Sequence, residues 1–322
     1  MYLIGTDVNR YHIELPDVDE RYIVPKFTNP NYIDKLNRLI EKTGAEMVHP
    51  QPDGEVRVLS ENRERINAIT FLPAKETIRI CQDKFESAKI WEKNGIPVAK
   101  TVLIRDVCDL EEAENTLGYP YWLRATVGFS SRGSTLVENI EVAKYWIGYW
   151  RARQNVDWTF MAQEYLPGQI IAFQSIWKDG EVITSQARVR LEYLYPYLAP
   201  SGITNTPTVA VTVNRDDINR IATECVLAID PRATGIFCVD LRENENGIPC
   251  PTEINAGRFF TTSFFFARAG INMPYYYVKS AYGETIPNLP KYNALPAGLY
   301  WIRHMDAPTI LRKEGQWRSI AI

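Results

Sequence analysis

The sequence is poor in the residues that build metal centres and covalent staples. Its three histidines, His12, His49 and His304, are scattered, and its five cysteines stand far apart with no CxxC spacing. An odd, dispersed set of cysteines is neither a disulfide framework nor a zinc-ligand pattern. Cys81, Cys108, Cys225, Cys238 and Cys250 therefore read as reduced, mostly structural thiols. No apolar run approaches the roughly 18 residues of a membrane-spanning helix, and the opening residues lack the charged start and long apolar stretch of a signal peptide. A cytoplasmic protein with no membrane partner is the expectation. There is no Lys/Arg block either, and 36 Lys+Arg against 39 Asp+Glu leave a formal charge of −3. Coating of nucleic acid is thereby disfavoured. Internal repeats and low-complexity segments are also missing.

What remains is an ordinary globular composition, 45% hydrophobic and 23% charged over 322 residues, with room for two or three domains. Residues 2–7 read as a strand, Ile33, Leu36, Leu39 and Ile40 recur at helical spacing up to Gly44, and residues 45–50 read as the next strand. This alternation is that of a parallel α/β sheet, although such a sheet usually begins with a strand and a glycine turn that would lie before Met1. After the Pro73 break, a helix carries Lys84, Ala88 and Trp91 and ends at Asn94-Gly95-Ile96-Pro97. Residues 119–124 form a strand that enters the segment Gly128-Phe129-Ser130-Ser131-Arg132-Gly133-Ser134 and resumes beyond it. The second half is mostly sheet, with hairpins turning at Lys178-Asp179-Gly180 and at Asn244-Glu245-Asn246-Gly247.

Asp240 on one strand of the last hairpin and Glu253-Ile254-Asn255 on the next are the most informative cluster. Alternation puts Glu253 and Asn255 on one face, and antiparallel pairing brings Asp240 beside them. Two carboxylates and an amide oxygen are hard ligands suited to Mg²⁺ and its phosphate partners. A solvated polar face fits the pattern too. The apolar flanks Ile236, Phe237, Val239, Leu241, Ile248 and Ile254 tilt the reading towards a buried site. Arg124 and the glycine/serine segment after it form a second cluster able to cradle phosphate oxygens. With no Lys before Ser134 it is not a P-loop, and it is not a GxGxxG turn.

In order along the chain, Asp83-Lys84, Tyr119-Pro120-Tyr121-Trp122-Leu123-Arg124, the glycine/serine loop, Gln163-Glu164-Tyr165-Leu166-Pro167-Gly168, Asp240 and Glu253-Ile254-Asn255 together resemble the ATP-grasp superfamily. The nearest look is to its carbamoyl-phosphate-synthase large-chain-like and carboxylate–amine ligase members. The resemblance implies an α/β fold with a shortened N-terminal parallel α/β (pre-ATP-grasp) domain over residues 1–73, its first strand expected to be missing, a central lid-bearing subdomain over 74–162 and a mostly antiparallel C-terminal subdomain over 163–322. It further implies that Lys84 and Arg124 bind ATP phosphates, that Ser130, Ser131 and Gly133 belong to the lid over the β- and γ-phosphates, and that Glu164, Tyr165 and Leu166 hold adenine. By the same resemblance Asp240, Glu253 and Asn255 hold Mg²⁺, with Mn²⁺ as an alternative, and Arg258 with Asn255 steadies the transferring phosphate.

Two departures stand out within this pattern. No acidic residue follows the Pro167-Gly168 turn to bind ribose, and the usual Asn-Pro-Arg is Asn255-Ala256-Gly257-Arg258, where Gly257 is expected to absorb the extra residue. Arg188 and Arg190 alternate on one strand face and are candidates for clamping a substrate carboxylate; a solvated strand face is the competing reading. The expected activity is Mg-ATP-dependent joining of a small carboxylate to an amine through an acyl phosphate. Carbamoyl-phosphate-type phosphoryl transfer, or a nucleotide-binding subunit without turnover, are the alternatives. The oligomeric state stays open, a homodimer included.

Overall fold

The computed structural model describes residues 1–128, 133–154, 159–198, 202, 207–260, 262–304 and 307–313. Its N-terminal segment opens with two short parallel strands, β1 (Ile4–Asp7) and β2 (Glu20–Ile23). They pair directly, with only a single 3-10 turn (His12–Glu14) between them, which differs from the expected strand, helix, strand alternation. Helix α1 (Tyr32–Thr43) buries Ile33, Leu36 and Ile40, and Gly44 ends it in the left-handed region, where its N–H reaches the Ile40 carbonyl at 2.8 Å. Residues 45–50 do not form the expected strand. Only Met47 pairs, as an isolated parallel bridge to Ile69; Pro50 and Pro52 have no N–H with which to extend the ladder. Helix α2 (Asp53–Glu61), which the sequence reading passed over, starts immediately after Pro52.

Helices α3 (Lys75–Gln82) and α4 (Lys84–Lys93) meet at Asp83. The Asp83 carboxylate caps α4 by accepting from the Phe85 and Glu86 N–H groups at 3.0 and 3.1 Å. An antiparallel sheet follows, built from β3 (Thr101–Ile104), β4 (Tyr121–Ala125), β5 (Thr135–Val137) and β6 (Phe160–Glu164), in the order β3-β6-β4-β5. Helices α5 (Asp109–Leu117) and α6 (Ile140–Gln154) close its core around Leu110, Tyr121, Leu123 and Phe160.

The larger sheet is antiparallel throughout. Its strands are β7 (Ile170–Lys178), β8 (Glu181–Tyr193), β9 (Pro207–Val213), β10 (Gly235–Glu243), β11 (Pro249–Ala256), β12 (Leu299–His304) and β13 (Ala307–Lys313), in the order β11-β10-β7-β8-β9-β12-β13. The β7–β8 turn places Asp179 and Gly180 at φ of 51° and 87°, the two-residue geometry that follows the right-handed twist of the strands. Helix α7 (Asp216–Ile229) covers one face together with α3 and α4, and Trp91 on α4 donates its indole N–H to the Cys225 carbonyl at 3.1 Å. Helices α8 (Ser263–Arg268) and α9 (Met273–Ala281) cover the other face through Phe265, Phe266, Met273 and Tyr277. Burying each such large side chain contributes roughly 1.5–3 kcal/mol, so α3 and α4 are held to the large sheet by packing rather than by the chain alone. Among the described residues no helix is long and apolar enough to cross a membrane.

Candidate active site

A cavity of about 590 Å³ lies between the two antiparallel sheets, with the N-terminal segment closing one side. Asp240 on β10 and Glu253 on β11 are direct partners in the hairpin ladder. Asn255, two residues on, returns to the same face and donates from Nδ2 to Asp240 Oδ2 at 3.3 Å. The oxygen cluster read from the sequence is thus assembled by strand pairing and alternation alone.

Each member of that cluster is met by a cation. Arg124 Nη2 donates to Glu253 Oε2 at 2.5 Å, and Lys84 Nζ stands 3.7 Å from the same oxygen. Arg190 is paired with Asp240, and Arg258 donates to the Asn255 side-chain oxygen. Lys84 is placed by two further bonds: its N–H donates to the Thr126 carbonyl at 2.9 Å, and Nζ donates to the Gly128 carbonyl at 2.8 Å. The start of α4 is thereby stitched to the end of β4. Burial by itself would push the Glu253 carboxyl up, but Lys84, Arg124, Arg258 and Arg190 hold it well below the usual carboxylate range. For Asp240 burial prevails, aided by the Glu253 charge, and its carboxyl is pushed up despite Arg190. Burial also lowers Lys84 below an ordinary lysine, with Glu253 opposing.

Among the described residues no three His, Cys, Asp or Glu side chains form a metal cluster. The donor set is instead two carboxylates and an amide oxygen, which fits a magnesium ion completed by phosphate oxygens and water. The cations around it fit phosphate groups.

The segment leaving β6 borders the other end of the cavity. Glu164 is tied to Lys100, its N–H donating to the Lys100 carbonyl at 2.9 Å. Arg242 lies over the Tyr165 ring at 5.1 Å and donates to its hydroxyl at 3.3 Å, and Leu166 is buried beside them in the wall. Gln169 directs its N–H to Glu243 Oε2 at 3.2 Å.

The N-terminal segment supplies a wall that the sequence reading did not foresee. Asp53, the first residue of α2, receives Arg258 through both carboxylate oxygens, the longer bond being 3.4 Å. Gly257 makes this docking geometrically feasible. Its φ is +83°, and a Cβ there would lie 2.8 Å from Val56 Cγ1 on α2. The expected accommodation of the extra residue is therefore a left-handed glycine pressed against α2.

Of the residues singled out from sequence, Lys84, Arg124, Glu164, Tyr165, Leu166, Arg190, Asp240, Glu253, Asn255 and Arg258 line this one cavity. Gly133 is described but is not in its wall, where Ser134 appears, and Ser130 and Ser131 lie outside the described residues. Arg188 is separated from its expected companion. It is buried, its guanidinium 4.7 Å from the centre of the Phe260 ring and 5.5 Å from that of Phe266, and it does not line the cavity. Burial, with the neighbouring Arg190 charge, lowers it to about 9. Asp53, Arg57, Tyr193 and Arg242 enter the wall without having been singled out. The spacing of Asp53 and Arg57, four residues apart after Pro52, was the one available signal for the first two.

Residues 1–72 match the family of PylC-like N-terminal domains. The chain is 28% identical over 144 residues to the propionyl-CoA carboxylase alpha chain of Ruegeria pomeroyi, a match that spans 43% of this chain and 21% of that one. It is 28% identical over 205 residues to the D-alanine–D-alanine ligase A of Clostridium perfringens, spanning 61% of this chain and 64% of the ligase. Among solved structures, the biotin carboxylase domain of the Hydrogenobacter thermophilus 2-oxoglutarate carboxylase, a dimer in complex with MgADP, ADP and bicarbonate, superposes with a TM-score of 0.72 at 17% identity. That superposition covers 94% of this chain and 68% of the other. The chain thus shares over nearly its whole length the mixed α/β architecture of these proteins, the fold that the resemblance to the ATP-grasp superfamily implies.

Proposed function

We propose that the protein is a magnesium- and ATP-dependent ligase that activates a small carboxylate as an acyl phosphate and joins it to an amine. The observation that carries this reading is the convergence, in one cavity, of the oxygen cluster Asp240, Glu253 and Asn255 with the cations Lys84, Arg124 and Arg258. The MgADP and bicarbonate in the Hydrogenobacter thermophilus structure support it by analogy of fold.

In this reading a carboxylate oxygen attacks the γ-phosphorus and ADP leaves. The amine then attacks the acyl carbon, phosphate departs, and the nitrogen gives up a proton. Most of the barrier to such a transfer is electrostatic, so positioned charge matters more than a general acid or base. Lys84 and Arg124 clamp the phosphates, Glu164, Tyr165 and Leu166 border the adenine, and Arg258 steadies the group in transfer. Asp240, Glu253 and Asn255 would hold Mg²⁺, which supplies neutralisation of the phosphoryl charge. Arg124 and Lys84 neutralise Glu253 until phosphate oxygens replace it as their partner. Arg190 is assigned to the substrate carboxylate, and Arg188 to supporting it from behind through Phe260, over which both guanidinium groups lie.

The test is ADP release from Mg-ATP on addition of pooled carboxylates and amines, followed by mass-spectrometric identification of condensation products. Product formation dependent on both pools is expected. ADP release that ignores both would sink the ligase reading in favour of a simple nucleotidase.

A further inference from the structure

The cavity cations differ in how far they are already engaged. Lys84, Arg124, Arg190 and Arg258 each have a carboxylate partner, and Arg242 reaches the Tyr165 hydroxyl beside the expected adenine end. Arg57 is the exception. Its Nε donates to Gln82 Oε1 at 2.7 Å, and Gln82 is itself held by its Nε2 on the Asp53 carbonyl at 2.8 Å. The two terminal nitrogens of Arg57 have no hydrogen-bond partner among the described residues, although the side chain lines the cavity. A guanidinium clamped at Nε and open at its far edge is preorganised for a planar or tetrahedral anion.

Its surroundings suit a ligand rather than bulk water. Gly54 allows the Phe27 ring to lie directly on α2, since a Cβ at Gly54 would stand 2.3 Å from that ring, and Phe27 and Thr28 complete the wall beside Arg57. Asp53 sits one helical turn away, roughly 5.4 Å along the axis, and holds Arg258, which in turn touches Asn255. Gln82 bonds both Arg57 Nε and the Asp53 carbonyl, so an anion on Arg57 would lie on the same wall of the cavity as the Asp53–Arg258 pair.

We infer that Arg57 is the anchor of an acceptor subsite, and that the amine acceptor carries an anionic group, carboxylate or phosphate, a short distance from its nitrogen. This rests on the ligase reading for the identity of the nucleophile but not for the anion site itself.

The test is a calorimetric titration of the full chain loaded with Mg²⁺ and adenylyl imidodiphosphate. The probes are β-alanine against β-alaninamide and phosphoethanolamine against ethanolamine, which separate carboxylate from phosphate. The member of at least one pair that bears the carboxylate or phosphate should bind about tenfold or more tightly than its counterpart without it, and Arg57→Gln should remove that preference. Nucleotide affinity should change less than about twofold, because the phosphates are assigned to Lys84 and Arg124 rather than to Arg57. Arg57→Lys, which keeps the charge without the fork, should retain an intermediate preference and covers the case of a poorly folded Gln variant. Equal binding within both pairs, no binding of either the carboxylate or the phosphate probe, or an unaltered preference in both variants would each overturn the proposal. If adenylyl imidodiphosphate itself does not bind, the nucleotide reading fails, and the same titrations on nucleotide-free protein still decide the anion site.

Discussion

Asp53 on α2 and Arg258 beyond β11 form an ion pair between residues 205 positions apart, and through it the N-terminal segment holds the side chain that touches Asn255. The Arg258 side chain is only 19% exposed, and although burial opposes its charge, Asp53 raises its affinity for the proton. The N-terminal segment thus helps build the site as well as bordering it.

Removing this partner leaves Arg258 charged but unguided. Asp53→Ala should reduce turnover by about ten- to a hundredfold, while the KM for Mg-ATP moves little, because outer contacts of this kind orient a group without binding the nucleotide. Asp53→Glu should recover part of the loss. Steady-state kinetics of ADP release decide the matter, and an equal fall in nucleotide affinity would mean that Asp53 serves the cavity as a whole.

Gly257 faces two constraints, a left-handed backbone and the nearby Val56 methyl. Gly257→Ala should therefore destabilise the protein by about 1–3 kcal/mol, read as a lower melting temperature or denaturant midpoint. Adding Val56→Ala should not restore stability, since it relieves the contact but not the dihedral and opens a cavity of its own. Gly257→Ala melting at the wild-type temperature would show that the turn has more freedom than its geometry implies.

Glu55 offers a pH-dependent test away from the oxygen cluster. Burial raises its carboxyl from 4.5, more than the hydrogen bond from the Tyr32 hydroxyl lowers it. The folded state then holds the proton more tightly than the unfolded one. Stability from this group is accordingly greatest at or below the unfolded value near 4.5 and falls as pH rises through the raised folded value. Urea midpoints measured from pH 4 upward should fall more steeply in the wild type than in Glu55→Gln. Parallel curves would contradict the assigned burial.

The parts of the site legible in the sequence are those set by local rules. Asp240, Glu253 and Asn255 follow from hairpin pairing and alternation, whereas Lys84 is singled out only by the resemblance, and the Asp83 cap that starts its helix becomes visible in the structure. Arg188 and Arg190 show the limit of alternation: it assigns both to one face of β8 but not to one depth, and Phe260 covers the first while the cavity receives the second. Likewise Asp53 and Arg57 acquire their meaning only when α2 docks on Gly257, a contact between distant segments that no local periodicity encodes. The strand expected at residues 45–50 failed for the opposite reason, because its apolar residues suited a strand while Pro50 at its end and Pro52 just beyond left almost no ladder to form.

In the proposed reaction Glu253, which lies between Lys84 and Arg124, holds the magnesium of a phosphoryl-transfer site. The direct measurement is Mg²⁺-dependent ADP formation by the wild type and Glu253→Gln, at saturating ATP with pooled carboxylates and amines. The wild type should release ADP only with Mg²⁺ present, and Glu253→Gln should lose about a hundredfold or more of that rate, given that one lost charged contact in a transition state is worth about 3 kcal/mol. Full activity in Glu253→Gln, or ADP release indifferent to Mg²⁺, would contradict the account.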